Sequence, residues 1–314
     1  MKRLVVLAAA VIGAPMITMP ALAEPVEKVI PVPGFADFIA VDGATVWTTN
    51  RGRVEHWSAE KKLTEVPSPH PCGGMSIAHG ALWFADCKEG VVKRVSLHKA
   101  KVVASIPTGL ANGKEGELNV AAGAGSIWVA SDARGEIKRI DARTNKVIAT
   151  IPTAPGAYYL AFGFDALWAV SAKGNLIQRI DPKTNSVTKT TPLGKQPGFL
   201  AAGEGGVWVQ EQGDGTVARI DPTTGEVSGR VKVGEVLKYG DIDTGGGKVW
   251  LRSTEDQTFV VINPKTLAIL ARVGPLAGSG GLRYSPGGVW TTAHDKHTLS
   301  FWADPARIGA KTGD

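Results

Sequence analysis

The chain has 314 residues, 20% of them charged, with a formal net charge of +6 at pH 7. That positive balance is too mild and too scattered along the chain for a nucleic-acid-binding surface. Only two cysteines, no CxxC and no His-Cys cluster exclude a zinc module or a thioredoxin-like motif.

The first element is a leader. Met1-Lys2-Arg3 precedes an apolar run over residues 4–12, and Ala21-Leu22-Ala23 stands before Glu24. A positive start, an apolar middle and an A-x-A site predict a signal peptide over residues 1–23. Pro15 and Pro20 leave the run short of the ~20 residues that a membrane span needs. No later segment reads as a span. Without Lys2 and Arg3 the net charge falls from +6 to +4. The expected address is the periplasm or the exterior. In that oxidising setting, Cys72 and Cys87 predict one disulfide that closes a single hairpin.

A sentence beginning at Trp128 then repeats. Successive tryptophans at 47, 83, 128, 168, 208, 250 and 290 are separated by 36, 45, 40, 40, 42 and 40 residues. A period near ~40 with short strand-like pieces predicts a propeller array. Each repeat divides into four strands. In the fourth these are residues 158–162, 166–171, 176–181 and 186–191. Asp181-Pro182-Lys183-Thr184-Asn185 is a hairpin turn, with Pro presetting φ and Asn tolerating a left-handed residue. Val, Ile or Leu precedes each repeated tryptophan. A residue present in every repeat cannot single out one ligand site, so these tryptophans are expected to wedge between blades. Trp57 and Trp302 fall where other repeats have Ile140 or Ile180, and are also expected in the core.

The last repeat supplies only three strands, at 281–285, 289–293 and 298–303. Residues 26–32 look like a lone fourth. The N-terminal strand is therefore expected to complete the final blade and close the ring. The expectation is all-β: a seven-bladed β-propeller with four-stranded blades over residues 24–306, followed by a loose tail at 307–314.

The Trp strand followed by Gly-x-[Ile/Val]-x-Arg-Ile-Asp-Pro-x-Thr-[Asn/Gly] resembles the bacterial propeller repeats of the YVTN/NHL-like and streptogramin lyase-like (virginiamycin B lyase) group. The resemblance covers nearly all of the chain after the leader. It implies a seven-bladed periplasmic propeller with any ligand site near the central tunnel. For the lyases of that group it implies a tunnel-mouth histidine as general base, a nearby acid and a magnesium ion. The inner strands here supply no histidine except His79, late in its strand.

Counting back from each tryptophan places the tunnel wall. Eight residues before it stand Ile39, Met75, Val120, Leu160, Leu200, Ile242 and Leu282, an apolar column for the blade-to-blade core. Strand side chains alternate, so the columns nine and seven before it face the tunnel. The first holds Phe38, Gly74, Asn119, Tyr159, Phe199, Asp241 and Gly281. The second holds Ala40, Ser76, Ala121, Ala161, Ala201, Asp243 and Arg283. Glu117 and Tyr239 lie one step further out. The arc of the first three blades is small and mostly neutral, whereas that of blades four to seven is aromatic and charged.

Two readings stay open for that arc. Asp243 and Arg283 could satisfy each other in a narrow channel that aromatic rings fill. Alternatively, Glu117, Asn119, Tyr159, Phe199, Tyr239, Asp241, Asp243, Arg252 and Arg283 form an apolar-walled ligand pocket. Arg283 would then hold an anionic or carbonyl group, and Asp241 or Asp243 would orient it or act as a base. Arg51, Lys88, Arg134, Lys173, Glu211, Arg252, Asp256, His294 and His297 sit in second-to-third-strand loops on the same face, mostly as solvated charges. Two histidines in one loop without a third ligand do not make a metal site. No metal, cofactor or catalytic residue is assigned. The functional expectation is a monomeric module that binds a small molecule or a periplasmic protein at the tunnel mouth, without nucleic acid or a membrane span. The alternative is a lyase- or hydrolase-type enzyme at the same place.

Overall fold

Short β-branched runs separated by reversing turns build every repeat. The computed structural model describes residues 25–109, 118–130, 134–238, 240–252 and 258–310. Among these residues the chain forms seven four-stranded antiparallel sheets, six from consecutive strands. In the fourth blade the strands are Ala157–Gly163, Ala166–Ser171, Leu176–Asp181 and Ser186–Pro192. The seventh blade takes Leu282–Ser285, Gly288–Ala293 and Thr298–Ala303, and its outer strand is the N-terminal Glu27–Pro31. Val29 lies opposite Ser300 in that pairing. The ring is therefore closed by its own first strand, which leaves no open edge between first and last blades.

The core is divided among the blade junctions. Each of seven apolar clusters holds one repeated tryptophan and residues of two successive blades. Trp128, for example, packs with Ile137 of its own blade and Leu160 and Leu167 of the next. All seven tryptophans are buried, and so are Trp57 and Trp302. The indole N–H of Trp128 donates to Gly123 O at 3.0 Å, and Trp208 repeats this bond with Gly203 O at 3.0 Å. A Cβ on Gly123 would lie 2.0 Å from the Phe162 ring, and one on Gly245 would lie 2.1 Å from Tyr284. Glycine at this place lets the next blade press onto the strand end.

A second staple explains the Arg-Ile-Asp-Pro signature. Opposite the tryptophan on the third strand stand Arg94, Arg139, Arg179 and Arg219 in blades two to five. Their guanidinium groups lie over the indole rings, that of Arg139 at 4.6 Å. Arg139 also donates to Pro182 O at 2.5 Å and Asn185 Oδ1 at 2.7 Å in the next blade's turn. That turn is built as expected, with Asn185 at φ 54° and its N–H bonded to Asp181 O at 2.8 Å. The turn is thus an anchor for the preceding blade as well as a hairpin.

The chain end is docked further than its composition predicts. Ile308 is buried beside Trp250 and Trp302. The Lys248 ammonium donates to the carbonyls of Pro305, Ala306 and Ile308 at 2.7, 2.8 and 2.7 Å. The loose tail expected from residue 307 is therefore held as far as Ile308, because a buried lysine needs those acceptors; residues 311–314 lie outside the described residues. The predicted leader lies outside them too. Among the described residues, no helix is long and apolar enough to cross a membrane. Cys72 and Cys87 form the disulfide, with Cα atoms 5.9 Å apart. It joins the start of blade two's inner strand to the end of its second strand, and a structural bond of this kind belongs to an oxidising compartment.

Candidate functional site

The inner strands start at one end of the ring and leave a chamber of ≈ 610 Å³ at that mouth. Four side chains from the predicted tunnel columns line it, Phe38, Tyr159, Phe199 and Asp241, joined by the backbone of Gly281 in the same column. The rings of Tyr159 and Phe199 have centroids 4.4 Å apart at 51°, and those of Phe38 and Phe199 lie 6.1 Å apart at 48°. The three rings thus meet at angles and form a corner. An adjoining chamber of ≈ 450 Å³ shares Phe35, Asp37 and Phe38, and continues past Arg51 and His70 to Cys72.

The remaining wall comes from loops. Phe35 and Asp37 follow the N-terminal strand, and His294 and Asp295 follow the second strand of blade seven. The His294 ring stacks on Phe35 at 4.0 Å, and its Nδ1 lies 2.7 Å from an Asp295 carboxylate oxygen. Burial lowers the His294 imidazole below its usual range, although Asp295 pulls the other way. His294 is therefore neutral at neutral pH. His297 turns to Gly34 O at 2.7 Å. Both histidines thus contact the segment that leads from the closing strand into the mouth.

Below the chamber, the charged residues sort themselves differently from the sequence expectation. The guanidinium of Arg283 donates to the Asp241 carboxylate and, at 2.5 Å, to Leu282 O. The direct partner of Arg283 is Asp241, not Asp243. Asp243 accepts the Tyr284 N–H at 2.8 Å and the Thr244 N–H at 2.9 Å. Burial raises Asp243 above the usual carboxylate range, against the pull of Arg283. Its position deep in the channel explains that direction, although the residue as a whole is only half-buried. For Arg283, burial works toward a lower value, and Asp241 and Asp243 more than offset it. Neither Asp243 nor Arg283 lines the chamber.

Arg252 corrects a second expectation. It is 1% exposed at the end of a strand and is not a solvated loop charge. It donates to Thr258 O, Gly278 O and Thr292 O at 2.7, 2.7 and 3.1 Å, and burial lowers it to about 10. Its work is to hold the blade-six-to-seven loop under the mouth. Glu211 is also buried, accepting from Arg230 at 2.9 Å, Thr216 at 2.6 Å and the Gly194 N–H at 2.7 Å. Asn119 stitches three blades together, taking the Gly74 N–H at 2.7 Å and giving its own amide to Tyr158 O at 2.9 Å. Glu117 and Tyr239 lie outside the described residues.

Among the described residues, no three His, Cys, Asp or Glu side chains converge on one point. His79 sits in the turn at the far end of its strand, away from the mouth.

No family profile and no curated protein matches the chain. Solved structures do match. Virginiamycin B lyase from Staphylococcus aureus superposes with a TM-score of 0.76 at 17% identity, covering 90% of this chain and 100% of that one. A streptogramin B lyase gives 0.74 at 20% identity, covering 88% and 96%. The Neurospora crassa Pan2 WD40 domain gives 0.72 at 15%, covering 91% and 97%. At these identities the likeness shows the seven-bladed fold alone, and that fold serves both lyases and a WD40 domain.

Proposed function

We propose that this protein is a periplasmic, monomeric propeller that binds a small molecule in the mouth chamber. The observation that carries this reading is the ≈ 610 Å³ chamber, with the aromatic corner of Phe38, Tyr159 and Phe199 on one side and a few fixed polar groups on the other. Ligand sites have that composition. The leader sequence and the disulfide support the compartment. A thermal-shift and NMR fragment panel on residues 24–314 tests it, because a specific ligand stabilises the folded state by mass action. At least one fragment should saturate, and Phe199→Ala should abolish its effect. A panel without any saturable, Phe199-dependent fragment refutes the reading and leaves a protein scaffold in its place.

One observation favours a second reading. His294 stands neutral in the chamber beside Asp295, as a general base requires. A streptogramin lyase-like activity would use that pair. Incubation with a streptogramin B substrate, with His294→Ala as control, decides it; equal turnover by both proteins, or none, excludes the pair as catalyst.

A further inference from the structure

The sign of the chamber can be read from its wall. Resting on the reading of the mouth as a ligand site, we propose that the ligand is a small organic cation. Its ammonium group would sit between the faces of Phe38, Tyr159 and Phe199 and the acidic side formed by Asp37, Asp241 and Asp295.

Aromatic faces carry negative quadrupole density, and they attract a cation most strongly where water is excluded. The rings meet pairwise at 48° and 51°, and all three residues line one volume. The described residues lining that volume include three aspartates and no lysine or arginine. Arg283 and Arg252 lie behind the wall, and Arg51 faces the adjoining chamber with its guanidinium 5.4 Å from the Phe35 ring. Arg283 is bonded to Asp241 and Leu282 O, and Arg252 is bonded to three backbone carbonyls. The guanidinium expected from the sequence to hold an anion is thus already committed to a carboxylate. His294 adds no positive charge at neutral pH.

The alternatives are less favourable on the same wall. An anion would be brought against Asp37 and Asp295, with the Asp241 charge offset by Arg283. An uncharged apolar ligand would take water from those carboxylates and return nothing, which costs free energy. A cation with a compact apolar body satisfies both sides at once.

The test uses three probes of one shape on residues 24–314: choline, its uncharged tert-butyl analogue with carbon in place of nitrogen, and the tert-butylacetate anion. NMR titration should show choline binding about tenfold more tightly than the uncharged analogue. Binding should weaken as salt rises. Asp295→Asn, at a carboxylate 57% exposed, should weaken choline about fivefold, and Phe199→Ala should weaken it at least as much. Equal affinity for the uncharged analogue, a preference for the anion, choline binding unchanged in both variants, or no saturation by choline up to about 50 mM overturns the proposal. If the uncharged or anionic probe saturates and loses binding in Phe199→Ala, the mouth remains a ligand site and only the cation assignment falls. Silence from all three probes and from the fragment panel removes both.

Discussion

Blades two to five and blades six, seven and one obey different rules. In the first group, an arginine faces every repeated tryptophan across the strand pair. In the second group, the same position holds Val261, Phe301 and His56. His56 stacks flat on Trp47 at 4.5 Å, Phe301 packs on Trp290 at 4.7 Å, and Lys248, two residues earlier on the same strand, reaches over Trp250. The irregular blades are those that close the ring and supply the acidic side of the mouth. Repetition marks what every junction needs, and departure from it marks where the ring is closed and where the chamber is built.

The largest break in that comparison should come from its shared part. Trp168→Ala empties a regular junction and should lower stability by about 3–5 kcal/mol, read by denaturant unfolding. Phe199→Ala, on the chamber wall, should cost much less, and a similar loss for both would remove the distinction between core and site. Next is Arg283→Ala. It leaves the Asp241 carboxylate, 4% exposed, without its cation, and should cost about 3 kcal/mol. Replacing Asp241 by Asn in the same chain should restore most of that; no restoration would show that the two act independently.

The disulfide closes a short loop within one blade, 15 residues apart in sequence. Cys72→Ser with Cys87→Ser should therefore cost about 3 kcal/mol, by comparison of melts. Arg139→Ala removes one ring contact and two bonds to the next turn, and should cost about 1–2 kcal/mol. The irregular counterpart is smaller and depends on pH. Burial holds both His56 and His294 below the usual imidazole value of 6.5. Their contribution is complete above pH 6.5 and is lost as pH falls through the lowered folded values. Melting temperature should decline on acidification below that point. His56→Phe, which copies the blade-seven pair, should flatten the decline, and an unchanged slope would assign it to other groups.

Blade number, strand limits and ring closure were legible in the sequence because they rest on local signals. Period-two alternation gives the faces, and Asp-Pro-x-Thr-Asn gives the turns. Tyr159, Phe199 and Asp241 were placed on the chamber wall by the same alternation. The Arg283 partner was not, because Asp241 and Asp243 face the same channel and the offset between neighbouring inner strands is not written in either. Arg252 and Glu211 sit at strand ends, where sequence reads as loop and burial depends on the loop folded over them. Phe35, Asp37, His294 and Asp295 come together only when the two ends of the propeller meet. The expected closure was the one signal that could have paired them.

The closing strand also orders events in time. Val29 and Ser300 are neighbours across roughly 270 residues of chain, a loop whose closure is slow to be repaid by contacts. Six blades can be assembled from consecutive segments as the chain becomes available, but the seventh waits for both ends. Until then, the segment carrying Phe35 and Asp37 has no fixed place against the His294 loop. The mouth is therefore among the last parts of the molecule to take shape, and ligand binding there reports a completed ring.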